Sequence, residues 1–196
     1  MKRIEQILEL AAANNGIVTA RTVDKQEVPR ALLSYLVEQG KLERVGRGVY
    51  ALPDSWDDEL FTLQRRFTRG IYAGETALYL HGLTDVMPVQ WEMTFPLGYN
   101  LTSAKAAGVR CNQERNTYDL GVHQARTPSG NAVAVYSAEK TLCDLLRPKR
   151  HYDIRLITDA YRTYIRWENR DIPALSEYAR VVGVEAKVRA YLEVLV

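Results

Sequence analysis

Residues 28–52, VPRALLSYLVEQGKLERVGRGVYAL, constrain the fold more than any other stretch of the chain. Val28, Leu32, Tyr35 and Leu36 fall at i, i+4, i+7 and i+8, the spacing of one face of an α-helix. Glu27, Arg30, Ser34, Glu38 and Lys41 fall on the opposite face. Gly40 follows the last periodic residue, where a helix ends best on a residue that tolerates left-handed dihedrals. Lys41–Val45 and Val49–Leu52 then read as two short strands, joined by Gly46-Arg47-Gly48. Glycine supplies the positive φ that such a turn needs, and Arg47 places a cation at its tip. A helix with a free polar face, followed at once by a basic hairpin, is the outline of a winged helix-turn-helix. In that arrangement the helix enters a major groove and the wing reaches the neighbouring backbone.

The residues before this stretch supply the missing elements. Lys2–Asn14 is an amphipathic helix, with Ile4, Ile7, Leu8, Ala11 and Ala12 in phase and Asn14-Asn15-Gly16 ending it. Ile17-Val18 is extended, and Thr19 caps a short second helix running to about Lys25. The order is helix, strand, helix, turn, helix, wing. A charged helix face is also what a merely solvated helix shows, and helix-plus-hairpin units also serve as protein-docking modules.

The 196 residues suffice for one large domain or two small ones, and the 46% hydrophobic fraction suffices for a core. Net charge is only +2, so any affinity for nucleic acid must come from a local patch. Cys111 and Cys143 show no metal-ligand spacing and read as free, buried thiols. The N-terminal MKRIEQILEL lacks the apolar core of a signal peptide. No apolar run approaches the roughly 20 residues needed to span a bilayer. The expected location is cytoplasmic.

Past residue 53 the pattern changes. Pro53–Glu59 is acidic and reads as a linker or as the start of the next helix, Leu60–Arg69, which carries Arg65, Arg66 and Arg69 on one side. Residues 71–84 form a strand, turn and helix ending at Gly82, with His81 in the last helical turn, where a helix dipole favours a cation. Val89–Phe95, Val109–Cys111, Tyr118–Arg126 and Ala132–Tyr136 read as strands, with Leu101–Ala107 as a short helix and 127–131 as a turn. Ser137 caps a helix over Ala138–Arg147 that Pro148 stops. The rest is helical, with Tyr161, Tyr164 and Tyr191 on core-facing stripes. The expected fold class is α+β. A winged helix-turn-helix over residues 1–53 precedes a mixed domain, 54–196, with a small antiparallel sheet and a C-terminal helical pack.

Three segments in this order carry a resemblance: LERVGRGVYAL, then YAGETALYLHGLTD, then VAVYSAEKTLCDLLR. Together they resemble the AbiEi family, the antitoxin and regulator half of AbiE-type abortive-infection systems, which are type IV toxin–antitoxin pairs. The resemblance runs over nearly the whole chain. It implies a winged helix that binds inverted repeats of double-stranded DNA in its own promoter and represses an operon. That operon also encodes a nucleotidyltransferase-like toxin, which the antitoxin need not touch. Carried onto this chain, the DNA-binding role falls to Arg30 and Ser34 in the groove and to Lys25 and Gln26 in the preceding turn. Arg44 and Arg47 on the wing would contact phosphates or the minor groove. Arg21 and Lys41 complete the set, and Arg65, Arg66 and Arg69 are a further basic surface. No cofactor, metal or membrane partner is implied.

Other functions stay open at this point: a solitary regulator without a toxin, a protein-interaction module built on the tyrosine-rich helices, or a winged helix fused to a nuclease. A two-metal nuclease needs an aspartate and a Glu-x-Lys pair on adjacent strands. Asp119 sits in a strand candidate, but Glu139-Lys140 is adjacent and opens a helix, and Glu185-Ala186-Lys187 is helical. There is no P-loop, nucleophile elbow or dinucleotide fingerprint, and His81, His123 and His151 have no partner at metal-ligand spacing.

Overall fold

The computed structural model describes residues 2–53, 58–148 and 150–195. Residues 54–57, most of the expected linker, lie outside the described residues. The chain forms two compact units, one running up to Thr68 and including 127–131, the other comprising 69–126 and 132–196. Among the described residues no helix is long and apolar enough to cross a membrane.

The first unit has the expected element order: α1 (Lys2–Ala13), β1 (Ile17–Thr19), α2 (Ala20–Lys25), α3 (Ala31–Glu38), β2 (Glu43–Gly46) and β3 (Val49–Ala51), then α4 (Glu59–Arg66). The three strands form an antiparallel sheet in the order β1-β3-β2. Ile7, Ala11, Val18, Val23, Val28, Leu33, Leu36 and Leu42 make its core. Each fully buried leucine there contributes roughly 1.5–3 kcal/mol by leaving water. Thr19 caps α2 as expected, its hydroxyl accepting from the Thr22 amide at 3.0 Å.

The buried face of α3 differs from the expected one. Leu33 and Leu36 are fully buried, whereas Tyr35 is 45% exposed. Val28 is buried, but it lies in the turn before the helix, so counting helical phase from it rotates the face. Counted from Ala31, the exposed stripe is Ala31, Ser34, Tyr35 and Glu38.

The second unit is a five-stranded sheet with helices, followed by a largely helical C-terminal region. Its strands are β4 (Ile71–Tyr72), β5 (Glu92–Pro96), β6 (Arg110–Glu114), β7 (Val122–Arg126) and β8 (Ala132–Tyr136), in the order β6-β5-β4-β8-β7. Antiparallel pairing accounts for β4/β5 and β7/β8; β4/β8 and β5/β6 are parallel. Between β5 and β6 the chain crosses over through α6 (Thr102–Ala106), which returns the second strand in the same direction. Residues Glu92–Phe95 of β5 are all buried, because an interior strand covered on both faces has no solvent side and cannot alternate.

Helices α5 (Gly74–Leu80), α7 (Ala138–Leu145), α8 (Ile154–Arg166), α9 (Ile172–Val182) and α10 (Glu185–Leu195) share one core. Tyr161 and Tyr164 are fully buried there, and Tyr161 stacks on Tyr191 at 4.8 Å, so the tyrosine stripe is core. Every residue of α7 is buried, charged ones included. Lys140 pairs with Asp144 at 2.5 Å and stands over the Tyr136 ring. Around them Arg147 and Arg150 meet Glu114, and Arg150 also meets Glu92, whose Oε1 accepts from Tyr152 at 2.6 Å and from Asn112. Gly74 is required beside this network: a Cβ there would overlap Glu92 and the Tyr152 hydroxyl.

Two local expectations change. His81 is the C-cap of α5, yet burial lowers its pKa, and its Nε2–H donates to the Tyr136 carbonyl at 2.7 Å. Desolvation outweighs the bond to the Tyr136 carbonyl and the nearby Glu139 carboxylate, which favours the neutral ring. Cys143 is buried and its thiol is pushed up to about 12, but Cys111, on the edge strand β6, is only half-buried.

Candidate nucleic-acid interface

The helix-turn-helix is built by α2, a turn over residues 26–30, and α3. The turn is tight because Glu27 takes a left-handed conformation, φ 54°, while the Val28 amide donates back to the Val23 carbonyl at 3.2 Å. This buries Val28 and leaves Lys25, Gln26 and Arg30 on the outside. Ser34 and Tyr35 stand exposed a turn further along α3. The acidic Glu38 shares that stripe toward the C-terminal end, which favours the first half of α3 as the part that approaches a polyanion.

The wing is held by backbone bonds. Gly46 pairs with Val49, leaving Arg47-Gly48 as a two-residue connection in which Gly48 has φ 72°. The Ala20 amide donates to the Gly48 carbonyl at 2.8 Å, and Thr19 pairs with Val49 across the sheet. The turn carrying Arg47 is therefore tied directly to the start of α2. Arg44 lies on β2, opposite Tyr50 of β3.

The sequence-derived cations divide into three groups. Arg21, Lys25, Arg30 and Arg47 line one concavity of about 630 Å³, together with Arg65 and Arg66 of α4. Gln26, Ser34, Lys41 and Arg44 are exposed on the same unit but do not line it. Arg69 does not join Arg65 and Arg66: α4 ends at Arg66, Phe67 turns in as a buried C-cap, and Arg69 belongs to the second unit, over the Tyr99 ring. Arg21, Lys25, Lys41, Arg44 and Arg47 have no carboxylate partner among the described residues. Arg30 is the exception, since its guanidinium makes a two-pronged ion pair with Asp24 and holds that carboxyl below its usual range. Tyr35 was not among the sequence-derived candidates; helical phase taken from Ala31 would have found it.

The residues of the nuclease alternative are scattered and engaged elsewhere. Asp119 lies in a loop before β7, Glu139 accepts from the Tyr164 hydroxyl, Lys140 is paired with Asp144, and Lys187 donates to the Leu146 carbonyl. Among the described residues no group of three or more His, Cys, Asp or Glu side chains could hold a metal ion.

The fold is a winged helix-turn-helix unit followed by an α+β unit. Residues 5–53 match the family model described as the AbiEi antitoxin transcriptional regulator, so the match covers the N-terminal quarter of the chain that the resemblance spans. No curated protein matches the chain in sequence. The crystal structure of the RV2827C protein from Mycobacterium tuberculosis is similar in fold, with a TM-score of 0.60 at 15% identity, covering 98% of this chain and 81% of that one.

Proposed function

We propose that this chain is a cytoplasmic DNA-binding autorepressor and the antitoxin component of a type IV toxin–antitoxin pair. Residues 1–53 bind inverted repeats upstream of its own operon, and residues 54–196 form the antitoxin-like part. The observation that carries this reading is the run of cations on the helix-turn-helix and its wing that have no carboxylate partner among the described residues, on a chain whose overall charge is only +2. The match of residues 5–53 to a regulator family supports it. In this reading Ser34 and Arg30 approach base edges from the first half of α3. Arg21, Lys25, Gln26, Lys41, Arg44 and Arg47 position the duplex through its backbone. The partner toxin is a nucleotidyltransferase-like protein encoded in the same operon, and the two need not touch.

The test is binding to duplex DNA from upstream of the chain's own reading frame. Arg47→Ala is expected to weaken binding to every sequence and to lower the slope of log affinity against log salt by about one. Arg30→Ala is expected to cost about 1–3 kcal/mol on the operator and to relax preference at one position. Equal operator binding by both variants and the parent would refute the winged-helix assignment.

A further inference from the structure

We propose that the concavity between α2, the wing turn and α4 is a cradle for the phosphodiester backbone of the DNA flank, so that α4 is a DNA-contacting element outside the winged helix itself. The inference rests on the DNA-binding reading above and extends it.

Three elements supply phosphate-facing cations to this one concavity: Arg21 and Lys25 from α2, Arg47 from the wing, and Arg65 and Arg66 from α4; Arg30, at the start of α3, also lines it but is assigned to the base edges. Asp24 offsets Arg30, and the other five have no carboxylate partner among the described residues. A concave surface of one sign focuses the field and selects an anion. The charges come from separate elements, which suits a strand bearing several phosphates better than a single compact anion. Thr19, Thr22 and Thr68 also line it; the Thr19 and Thr22 hydroxyls bond to each other at 2.8 Å, so one of that pair and Thr68 add donors of the kind that contact phosphate oxygens.

The α4 wall is fixed in place. The Asp58 carboxylate caps the helix, accepting from the Phe61 amide at 2.9 Å, and is itself held by Asn131 at 2.7 Å and by Thr127. The guanidinium of Arg65 lies 5.8 Å from the Phe61 ring centre and that of Arg66 lies 5.0 Å from the Phe67 ring centre. Stacking on an aromatic face restrains an arginine while leaving its N–H donors free. The wing and α4 also meet closely: a Cβ on Gly46 would come within 3.1 Å of Arg66 Cδ. Arg66 thus sits against the strand that leads to Arg47.

The test measures DNA affinity by fluorescence anisotropy across a salt series, on the upstream duplex and on an unrelated duplex of equal length. Arg65→Gln/Arg66→Gln should lower the salt slope by about two on both duplexes, and Arg65→Lys/Arg66→Lys should keep the parent slope. Arg65→Gln alone should lower it by about one, and this variant leaves the Arg66–wing contact intact, so it decides the matter if the double variant unfolds. An unchanged slope in Arg65→Gln, with Arg47→Ala still lowering it, overturns the cradle and leaves the winged-helix reading standing. A parent protein that binds neither duplex overturns both.

Discussion

In the first unit Arg21, Lys25, Arg44 and Arg47 stand exposed with no carboxylate partner among the described residues. In the second, Lys140, Arg147 and Arg150 are buried or half-buried against Asp144, Glu114 and Glu92. The same residue types therefore serve different ends. An exposed cation keeps its hydration and can exchange it for a phosphate, releasing counterions in doing so. A buried one has lost its water, and the carboxylate beside it offsets that cost. A net charge near zero conceals this division, and the bulk composition is a poor guide to where a polyanion could bind.

The sharpest way to break the comparison is to remove a buried partner. Asp144→Ala leaves the fully buried Lys140 without its carboxylate and is expected to cost about 3–5 kcal/mol, read as a fall in the urea midpoint. Lys140→Met/Asp144→Leu should recover most of that loss, because an apolar pair needs no compensation. Stability unaffected by Asp144→Ala would mean that the network does not hold the second unit together.

A second, smaller effect concerns pH. Burial lowers the His81 pKa from 6.5, so the unfolded chain takes up a proton there that the folded chain does not. The stability contributed by neutral His81 is complete above pH 6.5 and falls as pH drops below that value toward the depressed folded pKa. His81→Gln is expected to flatten this acid-side fall in melting temperature; an identical fall in the variant would assign it to other groups.

The smallest effect sharpens the first unit. Asp24 engages Arg30 at the surface, where solvent screens the pair and leaves it little weight in stability. Asp24→Asn should therefore leave stability almost unchanged. It should tighten DNA binding, because Arg30 is released and one repelling charge is gone. Weaker binding would indicate that Asp24 holds Arg30 in its binding pose.

Local pattern made the winged helix legible in the sequence. Thr19 before a short helix, and Gly48 beside Arg47, each specify a conformation by themselves. The errors lie where phase or burial depends on something distant. Val28 is apolar because the turn buries it, so it misled the phase of α3 and hid Tyr35. Arg69 continued the spacing of Arg65 and Arg66, but burial of Phe67 ended the helix first. The four residues of β5 from Glu92 to Phe95 cannot alternate when both faces are covered. The charged network of the second unit was illegible for a similar reason. Glu92 and Glu114 are brought together by sheet order, and Arg150 reaches them from the segment between α7 and α8; only Lys140–Asp144 and Asp144–Arg147 stand at helical intervals. The concavity shared by α2, the wing and α4 belongs to the same class, since nothing local sets Arg66 beside Gly46.

The most direct measurement of this division is a backbone-amide NMR titration of the full chain with the upstream duplex. The expected shifts fall on residues 19–35, on the wing around Arg47 and on α4, with the amides around Lys140, Asp144 and Arg147 unmoved. Shifts concentrated in the second unit, with the helix-turn-helix and wing silent, would contradict the account.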